Sequence, residues 1–401
     1  MSRRNSVYAA LNCDDILFEI LLRLPPSTIY KSVIVSKNWL CAICSPRFRR
    51  IYLSKWGQDY RLLGFFVCNF LYLARPRDGY RRPHWEPALP FLSTCRDGDD
   101  LTQSRILRQL GYFIDSSNGI ILAGRHPKTY FVYNNMTRQQ YPLPEPQQFY
   151  KTMSMAFIVE EYLDDISYKV IRAKCESRLK LRNTVSIETF SSKTGKWKQT
   201  TLMSSTPFAL CSRKAGAVVG GVVHWFAIWG KLAIYDPRHG DRHIALVRLP
   251  VTMLSLEREE SILGESSDGL LQFGSNSSLC MELWVLEKEV GANPPRYGNC
   301  THLTYKWIPR FSIFFKTLWK QNASLSMHHS KDTQLLSFLP RNSKSVFIRS
   351  GWNIFLYDLE TKTVELVHYQ GRGASISWES SKVLPYFLPS WPSSIPFQHG
   401  I

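Results

Sequence analysis

A chain of 401 residues with 44% apolar and 13% aromatic side chains has the composition of a folded globular protein, which excludes a low-complexity or disordered chain. Fifty Lys and Arg against 32 Asp and Glu leave a formal charge of +18, which favours acidic partners: nucleic acid, an anionic membrane surface or an acidic protein segment. The N-terminus has no apolar run that could act as a signal peptide, and the longest such run, Leu62 to Ala74, contains Asn69 and is too short to span a bilayer. A reducing cytoplasmic or nuclear setting with no membrane partner is therefore expected. Nine scattered cysteines, an odd number, agree with free thiols. The sequons beginning at Asn135, Asn276, Asn299 and Asn322 are then expected to stay unmodified.

The first organised stretch runs from Asn12 to Trp56. Ile16, Leu17, Ile20, Leu21 and Leu24 recur at helical spacing, with Asp14 and Asp15 where acids favour a helix N-terminus. Pro25-Pro26 stops that helix. Ser27 can cap a second short helix with Ile29, Val33 and Ile34 inward. Ser36 can cap a third, with Trp39, Leu40 and Ile43 on one side and Pro46 ending it. Phe48, Tyr52 and Trp56 follow as apolar anchors. On spacing alone, three helices this short read equally as a helical cap on a larger domain.

The order of residues adds more. Asp14-Asp15-Ile16-Leu17-x-Glu19-Ile20-Leu21-x-Arg23-Leu24-Pro25, then Val35-Ser36-Lys37-x-Trp39, then Phe48, resembles the F-box, over about a ninth of the chain. Cys13 stands where that family commonly has proline. The resemblance implies an F-box domain over residues 1–60 that docks on a Skp-type adaptor and so onto a cullin ubiquitin ligase. It assigns adaptor contacts to Ile16, Leu17, Ile20, Leu21, Leu24, Pro25, Val35, Trp39, Ile43 and Phe48.

Beyond the F-box, Leu62 to Ala74 reads as a buried strand, and Leu101 to Leu110 as a short helix or irregular link. From Tyr112 onward short apolar runs alternate with turn residues, the pattern of an all-β region. A weak repeat recurs there. Phe131-Val-Tyr-Asn-Asn, Ile187-Glu-Thr-Phe-Ser-Ser, Leu232-Ala-Ile-Tyr-Asp and Ile354-Phe-Leu-Tyr-Asp each end a strand near an aromatic and then turn. The first three lie about 57 and 45 residues apart, a propeller-like spacing, and the gap before the fourth leaves room for intervening units. Ser117-Asn-Gly-Ile-Ile-Leu and Gly220-Gly-Val-Val-His-Trp read as strands that open such units. A β-sandwich is the alternative, but more than a dozen strands exceed one sandwich. Gly220 to Trp225, Tyr235-Asp236-Pro237, Trp284-Val-Leu-Glu and Pro385 to Pro396 also resemble the kelch-like F-box-associated domain of plant-type F-box proteins, with the paired-glycine mark at Gly220-Gly221 alone. The expected fold is α+β and multidomain: a three-helix F-box, then an all-β, propeller-like domain over residues 61–401.

Constellations that carry chemistry are sparse. Cys41-x-x-Cys44 lacks a second ligand pair and falls within the third helix, so core or boundary thiols are expected. His239 and His243 flank a turn, and adjacent His328-His329 diverge on a strand. Glu160-Glu161, Asp164-Asp165 and Glu259-Glu260 read as solvated loops, and no phosphate loop, HExxH or GxSxG occurs. No catalytic residue, metal or cofactor is assigned. Arg172, Lys174, Arg178, Lys180 and Arg182 alternate as on an edge strand guarded by charge, a recognition surface being the alternative. Arg75, Arg77, Arg81 and Arg82 interleave with Tyr80 and Trp85, which suits either a recognition loop or a soluble linker. By resemblance the chain is a non-catalytic substrate receptor of an SCF-type ubiquitin ligase, with Arg75, Arg77, Arg81, Arg82 and Trp85 reading an acidic or phosphorylated target. The rivals are a basic nucleic-acid-binding β protein and a propeller enzyme acting on a small molecule.

Overall fold

The computed structural model describes residues 14–25, 28–29, 32, 35–56, 61–69, 91–94, 112–125, 129–134, 139–162, 165–176, 180–212, 216–238, 240, 242–250, 261–290, 303–325, 333–351, 353–368 and 381–388. Cys13, Val33, Ile34, Arg178, His239, His328, His329, the link Leu101 to Leu110 and the segment from Arg75 to Trp85 lie outside them.

Among the described residues the N-terminal unit has three helices, α1 (Asp14–Leu22), α2 (Lys37–Cys44) and α3 (Pro46–Trp56), with helical backbone at Thr28 and Ile29 between the first two. Ser36 caps α2 as its sequence predicts, its side chain accepting from the Trp39 amide at 3.2 Å. Pro46 does more than end α2. It occupies the first position of α3, where its missing N–H costs nothing, while the Ser45 hydroxyl accepts from the Phe48 amide at 3.2 Å. Phe48, Tyr52 and Trp56 are therefore one helical stripe at i, i+4 and i+8.

The rest is a six-bladed β-propeller. Four antiparallel strands make each of five blades. Blade one holds β3 (Tyr112–Ser117), β4 (Ile120–Arg125), β5 (Thr129–Asn134) and β6 (Gln139–Pro142). Blade two holds β7 (Met153–Tyr162), β8 (Asp165–Lys174), β9 (Arg182–Ser191) and β10 (Lys196–Phe208). Blade three holds β11 (Ala217–Val219), β12 (Val222–Ala227), β13 (Lys231–Tyr235) and β14 (Ala245–Arg248). Blade four holds β15 (Ser261–Glu265), β16 (Leu271–Asn276), β17 (Cys280–Val290) and β18 (Leu303–Phe314), followed by helix α4 (Phe315–Gln321). Blade five holds β19 (Thr333–Phe338), β20 (Ser345–Ser350), β21 (Asn353–Asp358) and β22 (Val364–His368).

The sixth blade closes the ring with strands from both ends of the propeller. β1 (Arg61–Asn69) lies between β2 (Phe91–Ser93) and β23 (Ser381–Leu388), antiparallel to each. Gly64 lets β1 pass close to β2, because a Cβ there would overlap the Leu92 carbonyl. Consecutive side chains on a strand face opposite ways, and β1 uses this fully. Phe65 packs toward blade five with Leu336, Phe347 and Ile354, whereas Phe66 packs toward blade one with Phe113, Ile121 and Tyr133. Both rings are fully buried.

The recurring sequence unit is the third strand of a blade and its turn into the fourth. Its four copies fall on β5, β9, β13 and β21, in blades one, two, three and five. The gap before the last copy holds one unit, blade four, whose third strand carries Trp284. Asn118-Gly119 and Gly220-Gly221 have positive φ at both positions and make the tight turns between first and second strands.

Innermost strands adjoin in order around the ring, β3 to β7 to β11 to β15 to β19 to β23. Four strands per blade bring each outer strand back to the end where the next blade begins. The ring thus has two faces. Turns between first and second strands lie on one. Turns between second and third strands lie on the other, beside the blade-to-blade connections: Ile228 donates to Ala209 at 2.9 Å and Leu335 to the Asn276 side chain at 3.0 Å.

The alternating basic run is not an edge. β8 is an interior strand paired with both β7 and β9, and Arg172 is wholly buried. Only Lys174, Lys180 and Arg182 of the described residues in that run reach solvent.

Removing either ring of the closing strand should be costly. Phe65→Ala and Phe66→Ala are each expected to lower unfolding free energy by about 3–5 kcal/mol in a denaturant titration, because each empties a different blade junction.

Candidate interaction surfaces

The helical unit closes on Leu17, Leu21, Ile29, Ile43, Phe48 and Tyr52. Rings step through it: Phe18 meets Phe48 edge-on at 5.0 Å, Phe48 stacks on Tyr52 at 5.5 Å, and Tyr52 stacks on Trp56 at 6.2 Å. The polar tips of that stripe serve the end of α1. Tyr52 donates to the Leu24 carbonyl at 2.8 Å and Trp56 to the Leu22 carbonyl at 3.0 Å. Those carbonyls are orphaned where Pro25 stops the helix, so the aromatic stripe both packs and caps it. Burial pushes the Tyr52 phenol well above its ordinary range, and it stays a donor.

The ten residues assigned to the adaptor divide into three groups. Leu17, Leu21, Ile43 and Phe48 lie in the unit's own core and hold it together. Ile20, Leu24 and Trp39 are half-buried. Ile16, at 44% exposed, Val35, at 60%, and Pro25 face outward. Leu40, expected inward, is 43% exposed, because the inward stripe of α2 runs through Trp39, Ala42 and Ile43. Cys41 and Cys44, expected as core or boundary thiols, are both exposed. Partial burial and the neighbouring Cys41 raise the Cys44 thiol, which keeps it protonated.

Arg75, Arg77, Arg81, Arg82 and Trp85, the residues assigned to the target, lie outside the described residues. What sequence spacing missed is the partner of Arg172. Its Nη1 meets Glu188 Oε2 at 2.7 Å, directly across from β8 to β9, and also donates to the Gln148 carbonyl at 3.2 Å. The guanidinium lies 5.1–5.7 Å from the ring centres of Tyr130, Tyr150 and Trp197. Glu188 Oε1 accepts from the Gln147 amide at 2.8 Å. The pair and its aromatic cage thus pin the connection between blades one and two. The signal in the sequence is one Glu on the strand after an alternating basic run, legible only once the register is known.

Other chemistry-bearing groups sit in the frame. His224 is buried on β12, and burial lowers its pKa to about 4. Among the described residues no group of three or more His, Cys, Asp or Glu converges on a metal position. Among them, too, no helix is long and apolar enough to cross a membrane.

Two stability predictions follow from these buried groups. Arg172→Ala leaves Glu188 buried without its partner and should cost about 3–5 kcal/mol, whereas Arg172→Met with Glu188→Leu should recover most of the loss. Between pH 6.5 and about 4 the unfolded chain binds a proton at residue 224 that the folded chain refuses. Stability should therefore be full above pH 6.5 and fall by about 3 kcal/mol as pH drops to 4. In a pH series of unfolding curves, His224→Gln should flatten that step.

Comparison with known proteins agrees with this geometry. Residues 13–51 match the F-box domain model. Residues 101–332 match the β-propeller model described as F-box protein At3g26010-like. F-box protein At5g03970 of Arabidopsis thaliana is 42% identical over 404 residues, covering 100% of this chain and 93% of the relative. F-box protein At5g07610 of the same plant is 27% identical over 253 residues, covering 56% of this chain and 55% of its own. Identity sustained through both the helical unit and the ring settles the affiliation: the chain belongs to the F-box proteins that carry an At3g26010-like β-propeller.

Proposed function

We propose that this chain is the substrate-recognition subunit of an SCF-type ubiquitin ligase working in the cytoplasm or nucleus. The F-box docks on a Skp-type adaptor and through it on a cullin. The kelch-like propeller holds a target protein close to a charged conjugating enzyme. The chain performs no covalent step: it raises the effective concentration of target lysines at the thioester.

One observation carries the reading. The F-box completes its own core and still presents Ile16, Val35 and Leu40 to solvent, on α1, before α2 and on α2. Exposed apolar side chains on a unit this small mark a partner's place. Pro25, which follows α1, is exposed as well.

The test is a calorimetric titration of the full chain with a Skp-type adaptor. Ile16→Ser with Val35→Ser should weaken binding by about 2 kcal/mol or more, as buried apolar anchors do. The fold should persist, since neither side chain belongs to the core cluster. Leu17→Ala should instead unfold the helical unit. Unchanged adaptor affinity in the double serine variant would remove this docking surface from the proposal.

A further inference from the structure

Among the described residues of the propeller six large apolar side chains are exposed, and four of them fall at one end of the blades. Phe149 is in the connection between blades one and two. Trp229 is the turn between β12 and β13, Leu279 the turn between β16 and β17, and Phe314 the last residue of β18. All belong to the face of second-to-third-strand turns and blade connections. Leu279 and Phe314 are neighbours: Cys280 pairs with Phe314, and Phe315 donates to the Leu279 carbonyl at 3.0 Å.

These side chains are held out rather than left loose. Ser277 accepts from the amides of Leu279 and Cys280 at 3.2 and 3.0 Å and fixes that turn. Trp229 sits at φ 59°, beside Gly230 at 65°. A bulky side chain is strained in this left-handed region, and Asn or Gly would suit the turn better. Trp229 is 52% exposed, so packing does not explain it. Strain kept at an exposed ring points to recognition.

The two faces differ in how far their positive charge exceeds their negative charge. The first-to-second-strand face, which also holds the third-to-fourth-strand turns, sets Arg238 with Asp236, Arg341 with Glu265 and Lys344 with Glu360, and beyond these pairs carries Lys193, Lys196, Arg242 and Lys362 against Asp268 and Asp358. The opposite face pairs Lys174 with Glu176 and beyond that pair carries Lys151, Lys180, Arg182, Lys231, Arg248 and Lys316 at strand ends and turns, against Glu145.

We infer that this second face, centred on Trp229, Leu279 and Phe314, is the target-docking surface, and that it takes an acidic protein segment bearing aromatic or aliphatic anchors. The inference rests on the receptor reading and adds the face, the residues and the chemistry of the occupant. Apolar anchors fill the hot spots, and the surrounding Lys and Arg select acidic flanks.

The test uses the full chain and a fluorescent peptide pool rich in Asp and Glu with interspersed Phe and Leu. Companion probes are the same pool with Ser for the acids, and a single-stranded RNA of mixed sequence. The acidic pool should bind, and the serine pool should bind about tenfold more weakly. Trp229→Asn with Leu279→Ser should weaken the acidic pool by about tenfold or more. Trp229→Asn alone should raise Tm while binding falls, a pair of opposite signs that a purely structural residue would not give. Lys231→Glu with Arg248→Glu should also weaken binding, whereas Asp268→Lys on the other face should not. Equal binding by wild type and the Trp229/Leu279 variant overturns the inference. So does RNA binding that displaces the acidic pool and falls with the same charge reversal, which transfers the face to nucleic acid. Adaptor affinity is measured on the same samples. Adaptor binding kept while peptide binding is absent sinks only this inference, and adaptor binding lost sinks the receptor reading instead.

Discussion

A ring of separate sheets is stable only if its last junction is made, and here that junction depends on pairing β1 with β23 across more than three hundred residues of chain. Each blade buries both of its faces against neighbours. A missing sixth blade would therefore bare blades one and five together. The two adjacent rings Phe65 and Phe66 show how completely the closing strand is committed, one to each side. Such a pairing is about as non-local as a contact can be, which makes assembly of the ring late. The F-box has its own core cluster and does not wait for it.

The high aromatic content has its explanation at these same junctions. Wedge-shaped gaps between blades need bulk, and a Trp or Tyr supplies it provided its polar tip finds a partner. Five such tips find partners across or beside the junctions. Trp197 donates to the Pro144 carbonyl at 2.7 Å, Trp225 to Met155 at 3.2 Å and Trp307 to Arg248 at 2.7 Å. Trp319 of α4 donates to the Thr333 hydroxyl at 2.8 Å, and Tyr386 of the closing blade to the Gly119 carbonyl at 3.1 Å. Trp and Tyr thus fill the gap and tie one blade to its neighbour. Arg172 extends the scheme, because a guanidinium among three rings fills the same space while Glu188 neutralises it.

The legible parts of the fold were those written in local spacing. The α1 stripe, the Ser36 cap and the third-strand repeat at Tyr133, Phe190, Tyr235 and Tyr357 needed no tertiary knowledge. α3 was hidden because Pro46 reads as an ending, and only the i, i+4, i+8 spacing of Phe48, Tyr52 and Trp56 shows that it also begins a helix. Arg172 was misplaced because alternation fixes which residues share a face but not whether the strand is interior. That depends on Glu188, whose relation to Arg172 is a matter of register. The outward side of the helical unit was half legible for a similar reason. Helical periodicity finds the apolar residues of α1, but Leu17 and Ile16 differ only in which way the neighbouring helices lie. Trp229 offered no warning at all, since nothing in a sequence distinguishes a strained exposed tryptophan from a buried one.

The separation of cores bears directly on how such a chain can act. The F-box and each blade junction keep their own clusters of buried side chains, so apolar residues outside those clusters are free of structural duty. Ile16 and Val35 in one unit and Trp229 and Leu279 in the other belong to that remainder. A receptor that works by proximity needs nothing more than two such surfaces on rigid supports, because its contribution is to replace a bimolecular encounter with an intramolecular one. Preorganisation then matters more than contact area. The Ser277-anchored turn and the aromatic cage around Arg172 supply it on the propeller, and the Tyr52 and Trp56 caps supply it on the F-box. Rigidity in the blades is thus what would make a set of exposed side chains act as a site.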